Sequence, residues 1–331
     1  MLRTLRIFTT LIGLGWGLGF TGAPGQGCCT GGVPVSGNLG LPAGAQGTWQ
    51  FQLSVDHKYL DALFDGRERL VDELRRRSTT SFLLESSYGI RERLAVSGLL
   101  TFVRQTRRIE PAFGAVDFTE NAGLGDAILL LRYNLLTDSV TPFTDLVLGI
   151  GPKFPLGRTD YPSDLTGILL PADLQPGTGA WDAVFWGMFS HTGIIRDRLT
   201  LLVIPSFRRT GTNQRYNRSQ AYRFGNELQV NFGISDRWAL GGLLLQPQLM
   251  FRWRATAPDQ AEGQIVSNTG GRWLNVQPGV ALGFSPALSL RLNAEIPIYR
   301  NLTGTQLTTT GRGTAALYYS FSTQNSTTRR P

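Results

Sequence analysis

The chain has 331 residues, 41% hydrophobic and 17% charged, with 40 glycines and a formal net charge of +8. It carries enough apolar material for a large core or a lipid-facing coat, and the glycine content tilts the reading toward β-structure. Past roughly the first twenty residues no stretch approaches the ~18 unbroken apolar residues of a membrane-spanning helix, so a helical membrane protein is excluded. Lys58 and Lys153 are the only lysines, and the positive charge is nearly all arginine. Scattered through an exported chain, it serves lipid phosphates or anionic solutes better than nucleic acid.

The amino terminus, residues 1–27, reads as an export signal: Arg3 and Arg6 precede an apolar run from Ile7 to Phe20. Thr21-Gly22-Ala23 offers small residues for cleavage although Pro24 follows, and a second start lies at Cys28. Cys28 and Cys29 are the only cysteines; being adjacent, they do not staple a distant part of the fold. Two readings stay open, a lipid-modified Cys28 or a pair of redox or intermolecular thiols. Residues 28–46, rich in Gly, Pro, Ser and Ala, read as a flexible leader.

From there to residue 321 the dominant signal is alternation. Phe224, Leu228, Val230, Phe232 and Ile234 share one face while Glu227, Gln229 and Asn231 share the other. Period two of this kind belongs to a strand wet on one side and apolar on the other. The pattern returns in "GTWQFQLSVDH", in "LSLRLNAEIPIYR" and in "AALYYSF". It predicts twelve strands, near residues 47–57, 79–89, 93–105, 124–136, 142–154, 179–191, 198–209, 222–234, 237–254, 272–285, 288–300 and 311–321.

Links after even-numbered strands are short ("GIRER", "LTDSVT", "TGIIRD", "SDR", "SPA"), and most links after odd-numbered ones are long and polar. Short-long alternation predicts an all-β fold, a closed antiparallel transmembrane β-barrel with tight periplasmic turns and large outer loops. Closure has a physical cause, because an open sheet edge in hydrocarbon leaves a row of backbone groups unpaired. Trp49, Tyr88, Trp238, Trp273 and Tyr299 lie near predicted strand ends, where interfacial girdles sit. Residues 322–331 read as a periplasmic tail, and the compartment is the bacterial outer membrane. Its lipids and lipopolysaccharide, the barrel-assembly machinery and a small-molecule solute are the expected partners.

Four phrases, "GLGDAILLLRYNL" at 123–135, "GIGPKFPLG" at 149–157, "QPGTGAWDAVFWGMFSH" at 175–191 and "IPIYRNLTGTQL" at 296–307, together resemble a bacterial outer-membrane transporter-like family that includes proteins linked to the meta-pathway of phenol degradation. The resemblance spans about 280 residues. It implies a twelve-stranded exported barrel passing small organic molecules, and it supplies no catalytic residues.

Metal and haem signatures are absent, no cofactor is expected, and the only histidines are His57 and His191. His57 falls on the apolar parity of the first strand, where an outer-wall lipolytic enzyme of the phospholipase class would carry its histidine; no serine–histidine pairing is visible, and the expectation is a non-enzyme. His191 sits at a turn. Parity points Glu85, Arg104, Asp126, Arg132, Lys153, Asp182, Glu227, Arg252, Arg291 and Glu295 into the lumen, as wall-bracing ion pairs or as a substrate path.

Val184, Trp186 and Met188, with Ile128 and Leu130, form an apolar inward set, either a binding patch or a surface for the leader. "GLGDA" and "GIGPK" lack a following helix, so their glycines serve bends or close approach rather than phosphate. The leading functional expectation is passage or binding of small, hydrophobic or aromatic molecules. The alternative is a structural barrel with a filled lumen, its partners held by loops or the N-terminal cysteines.

Overall fold

A computed structural model describes residues 45–110, 116–136, 143–163, 167, 169–216 and 218–323. The signal, most of the leader with Cys28 and Cys29, and nearly all of the tail lie outside the described residues. Twelve strands form the wall: β1 (Thr48–Asp65), β2 (Arg75–Arg91), β3 (Leu94–Ile109), β4 in two segments (Asp117–Leu124 and Ala127–Leu136), β5 (Thr144–Phe154), β6 (Asp182–Thr192), β7 (Thr200–Arg209), β8 (Glu227–Ser235), β9 (Leu243–Thr256), β10 (Gly271–Gly283), β11 (Leu288–Leu302) and β12 (Thr305–Ser322). Each pairs antiparallel with its sequence neighbours, and β1 pairs with β12 from Thr48↔Ser322 to Asp65↔Thr305. The ring is closed, and no wall strand is left with a free edge.

Burial gives the ring its inside and outside. On β1, Gln50, Gln52, Ser54 and Asp56 are buried while Leu53 and Val55 are exposed. On β6, Val184, Trp186 and Met188 are buried while Phe185, like Trp181 just before the strand, is exposed. The lipid-facing wall is built of Leu53, Leu84, Leu100, Leu131, Leu148, Ile150, Phe232, Leu292, Ile296 and Leu317, among others. This inversion of the soluble pattern is stable only where hydrocarbon replaces water.

At the end carrying the short turns, Trp49 packs on Tyr88 at 4.8 Å between ring centroids and Phe51 stacks on Phe321 at 6.1 Å, forming an aromatic belt. Trp238 and Tyr299 are exposed as expected. Trp273 is not part of a girdle: it is buried on the inward face of β10, with the Arg254 guanidinium over its ring at 5.0 Å.

Several strands run beyond their expected ends. β1 continues to Asp65, turns at Gly66 (φ +59) and pairs back through Glu68–Leu70; β12 begins at Thr305 rather than near 311. These extensions stand above the apolar belt, where neither face needs to be greasy and alternation fades. The hairpin between β8 and β9 also reverses later than "SDR". Trp238–Leu240 pairs with the start of β9, and the chain turns at Gly241 and Gly242, both at positive φ.

Candidate functional site

The lumen has two unlike halves. Across β2 to β7 the inward side chains Leu83, Leu99, Ile128, Leu130, Val147, Val184, Trp186, Met188 and Ile204 form one contiguous apolar cluster. Across the facing strands the inward positions are mostly amides and charges, including Gln229 and Asn231 on β8, Arg252 on β9, Asn275 on β10 and Glu295 on β11. Glycine on β5 makes the cluster possible. A Cβ on Gly149 would meet Arg132 Cγ and Trp186 Cε3 at 3.2 Å each, so the two side chains close over the bare backbone. The Arg132 guanidinium lies 5.6 Å from the Trp186 ring centroid, a cation–π contact.

Charged layers bound this apolar half above and below. On the outer-loop side, Lys153 Nζ lies 2.5 Å from Asp126 and 3.2 Å from Asp182, with Lys153 and Asp126 fully buried. The chain of charges continues from Asp182 to Arg208 (4.0 Å), from Arg208 to Glu227 (3.4 Å) and from Glu227 to Arg254 (2.9 Å), crossing β4 to β9. On the periplasmic side, Arg132 donates to Ser87 at 2.6 Å, and Glu85 is buried at the next inward position of β2.

A third group closes the circle through the polar half. Arg252 pairs with Glu295 at 2.6 Å, Asn275 and Gln277 donate to Glu295 at 2.6 and 2.7 Å, and Arg312 bridges Glu295 and Asp56. Ion pairs this deep hold register well, because a single lost partner leaves a buried charge.

The structure therefore places Glu85, Asp126, Arg132, Lys153, Asp182, Trp186, Met188, Glu227, Arg252, Arg291 and Glu295 on the inward face. Arg104 is the correction. On β3 the inward positions are Ala95, Ser97, Leu99, Thr101, Val103 and Gln105, which leaves Arg104 outside with a 57% exposed side chain, paired to Glu120 at 2.7 Å. Leu99 and Val103 belong to the apolar half of the lumen, so greasy residues on both faces of β3 hid its parity. Sequence reasoning also missed Arg208, Arg254, Arg312 and Asp56; Arg208 and Asp56 carry the same parity signal as the residues it found.

The segment between β5 and β6 turns into the outer mouth. Asp126, in the break between the two halves of β4, accepts from the backbone N–H of Gly157 and of Thr178, both at 3.1 Å, and from the Thr178 hydroxyl at 2.7 Å. Lys153 donates to the Ala180 carbonyl at 3.0 Å. Arg77 holds Asp173 from β2, and Asn121 holds the Leu174 carbonyl. Gly157 and Gly177 touch, since a Cβ on Gly177 would fall 2.4 Å from the Gly157 carbonyl oxygen. "GLGDA" holds the break between the two segments of β4, and in "GIGPK" Gly151 allows a close approach, since a Cβ there would fall 1.8 Å from the Leu129 carbonyl oxygen.

Over this segment the β7–β8 and β9–β10 loops form a small sheet, with Asn213–Tyr216, Gln220–Arg223, Gln260–Ala261 and Gln264–Ile265 in order. Tyr216, Tyr222 and Phe224 are its core, with Ala172 of the inturned segment packed against them. Asp259 joins the loops, accepting from the Tyr222 hydroxyl at 2.7 Å and the Gly225 N–H at 2.8 Å. Burial outweighs those hydrogen bonds and pushes its carboxyl up to about 6, while burial beside Asp259 raises the Tyr222 hydroxyl well above its ordinary range.

The two histidines lie away from the lumen network. His57 is exposed on the lipid-facing parity, its Nδ1 2.9 Å from the Thr80 hydroxyl; His191 Nδ1 lies 2.8 Å from the Thr144 hydroxyl at the end of β6. Among the described residues no group of three or more His, Cys, Asp or Glu side chains is placed to hold a metal.

Searches of family models and of curated proteins find no match to this chain. Among solved structures, it is similar to the COG4313 outer membrane channel from Pseudomonas putida F1, with a TM-score of 0.62 at 13% identity over 85% of this chain and 97% of that one. The chain is an outer-membrane β-barrel. The P. putida toluene transporter TodX (TM-score 0.42, 11% identity, 85% of this chain and 91% of that one) and the β domain of the Bordetella autotransporter BrkA (TM-score 0.43, 15% identity, 84% and 100%) match more distantly.

Proposed function

We propose that this barrel binds and passes small amphipathic molecules, their apolar bodies against the inner wall of β2 to β7 and their polar ends toward the charged layers. One observation carries the reading: an apolar cluster of nine buried side chains lies on one side of a lumen whose other side is mostly polar. A wall needed only to hold water or ions gains nothing from Trp186, Met188 and Ile204 turned inward, whereas an apolar solute gains roughly 25 cal/mol for each Å² it buries there. The resemblance to the transporter-like family agrees with this reading.

Reconstitution into liposomes tests it. Wild-type barrel admits a small aromatic solute faster than a sugar of equal size, and Trp186→Ala or Ile204→Asn lowers the aromatic rate several-fold while leaving ion conductance in place. Equal rates for both solutes in wild type overturn the proposal.

A second reading, a structural barrel with a filled lumen, is supported by the complete burial of Lys153, Asp126, Leu130 and Val184. It requires that no solute pass and that single-channel conductance be absent.

A further inference from the structure

We propose that the outer surface of β1 to β3 is a binding site for a phosphorylated glycolipid of the outer leaflet, the diphosphorylated disaccharide of lipid A being the chemistry that fits. This goes beyond the solute reading and does not depend on it. Three observations on the lipid-facing wall carry the inference.

The first is the order of residues going up the wall. Phe82 and Phe102, cross-strand partners 6.4 Å apart, are the last apolar pair. Directly above them runs a row in register, His57 on β1, Thr80 on β2 and Arg104 on β3; next comes Ser78 opposite Thr106, their hydroxyls 2.7 Å apart, and then Arg76 opposite Arg108. At ~3.3 Å per residue along the strand, the three arginines begin within about 7 Å of the last apolar ring and extend to about 20 Å beyond it. Glycolipid headgroups meet a barrel wall at this height.

The second is the charge arrangement. Arg76 and Arg108 are paired directly across the strands and both exposed, a placement that costs free energy unless an anion lies between them. Arg104 holds Glu120 at 2.7 Å and Arg108 holds Glu110 at 2.6 Å, with each arginine side chain more than half exposed; such pairs are weak and exchangeable. Arg76 has no acidic partner among the described residues. A phosphate dianion offers each guanidinium a bidentate partner that a single exposed glutamate does not replace.

The third is a groove beneath. Gly311 and Gly313 leave β12 bare on the outside, and a shallow, open groove of about 540 Å³ lies along the wall there, lined by Val55, His57, Leu292, Ala294, Gly313 and Ala315. His57 stands at its rim and opens the row that leads to Arg104. An acyl chain fits the groove while the headgroup spans the two strand spacings, about 10 Å, from His57 to Arg104.

Native mass spectrometry of the full chain in a neutral detergent tests this, with diphosphoryl lipid A, monophosphoryl lipid A and phosphatidylethanolamine as probes. Wild type is expected to bind the diphosphoryl form about tenfold more tightly than the monophosphoryl form, the loss of one charge-assisted contact. Arg76→Gln with Arg108→Gln removes that preference, and Gly313→Leu weakens both forms alike by filling the groove. Should the double variant fail to fold, Arg76→Gln alone carries the test, because Arg76 makes no ion pair among the described residues. Undiminished diphosphoryl binding by the arginine variants overturns the proposal. So does an equal loss in Arg209→Gln with Arg272→Gln, exposed arginines elsewhere on the rim.

Discussion

Lys153 is fully buried and pairs with two carboxylates. Among the described residues it alone touches both Asp126 and Asp182, so Lys153→Met leaves Asp126 with no cation and Asp182 with only Arg208 at 4.0 Å, and is expected to cost about 3–5 kcal/mol. Urea unfolding in lipid measures that loss, and faster proteolysis between residues 157 and 178 accompanies it, because Asp126 anchors that segment. Gly151 makes an equally sharp test: a Cβ there would sit 1.8 Å from the Leu129 carbonyl oxygen, so Gly151→Ala forces β4 and β5 apart locally. Reduced stability with shifted Trp186 fluorescence is the expected outcome. At this scale the sequence was readable wherever one face was uniformly apolar. Phe185, Gly187 and Phe189 outside made Val184, Trp186 and Met188 inside evident, whereas Arg104 was misplaced because Leu99 and Val103 made the inner face of β3 greasy as well.

Among the elements, the loop sheet above the mouth is the one that answers to pH. Asp259 titrates near 6 in the folded loops against an ordinary value of 3.8, so between those values the folded cluster holds a proton that the opened one releases. Stability from this group is therefore full below about pH 4 and is lost as pH rises through 6, by at most about 3 kcal/mol. The groups facing it are Tyr222, Arg208 and Asp173, with the Gly225 N–H donating. Hydrogen exchange, corrected for intrinsic rates, is expected to show the 213–223 and 260–265 segments opening more readily at pH 7 than at pH 4.5, and Asp259→Asn is expected to flatten that dependence. Nothing in the sequence announced this element, since Tyr216 and Tyr222 lie in one loop, Asp259 in another 37 residues on, and the three follow no period. The extensions of β1, β2 and β12 were hidden for a related reason: above the membrane both faces of a strand are wet, and alternation has no cause there.

Taken whole, the molecule depends on which way its greasy side chains point. Leu84 lies opposite Leu53 and Leu100 in the middle of the lipid-facing wall, and Leu84→Arg is expected to destabilise the barrel by about 2–4 kcal/mol, with Leu84→Phe close to neutral. Unfolding in lipid vesicles of defined thickness reads both. The ring also has a seam: β1 and β12 meet along nearly their full lengths, joining residues 240 to 274 positions apart, as in the Thr314–Asp56 contact. Contacts so remote in sequence form late. Because Thr48 and Ser322 emerge side by side, a chain rewired to start at Gly242 and end at Gly241, with its natural ends joined by a short linker, would keep every hydrogen bond of the cylinder while turning the last staves to meet into the first to be made.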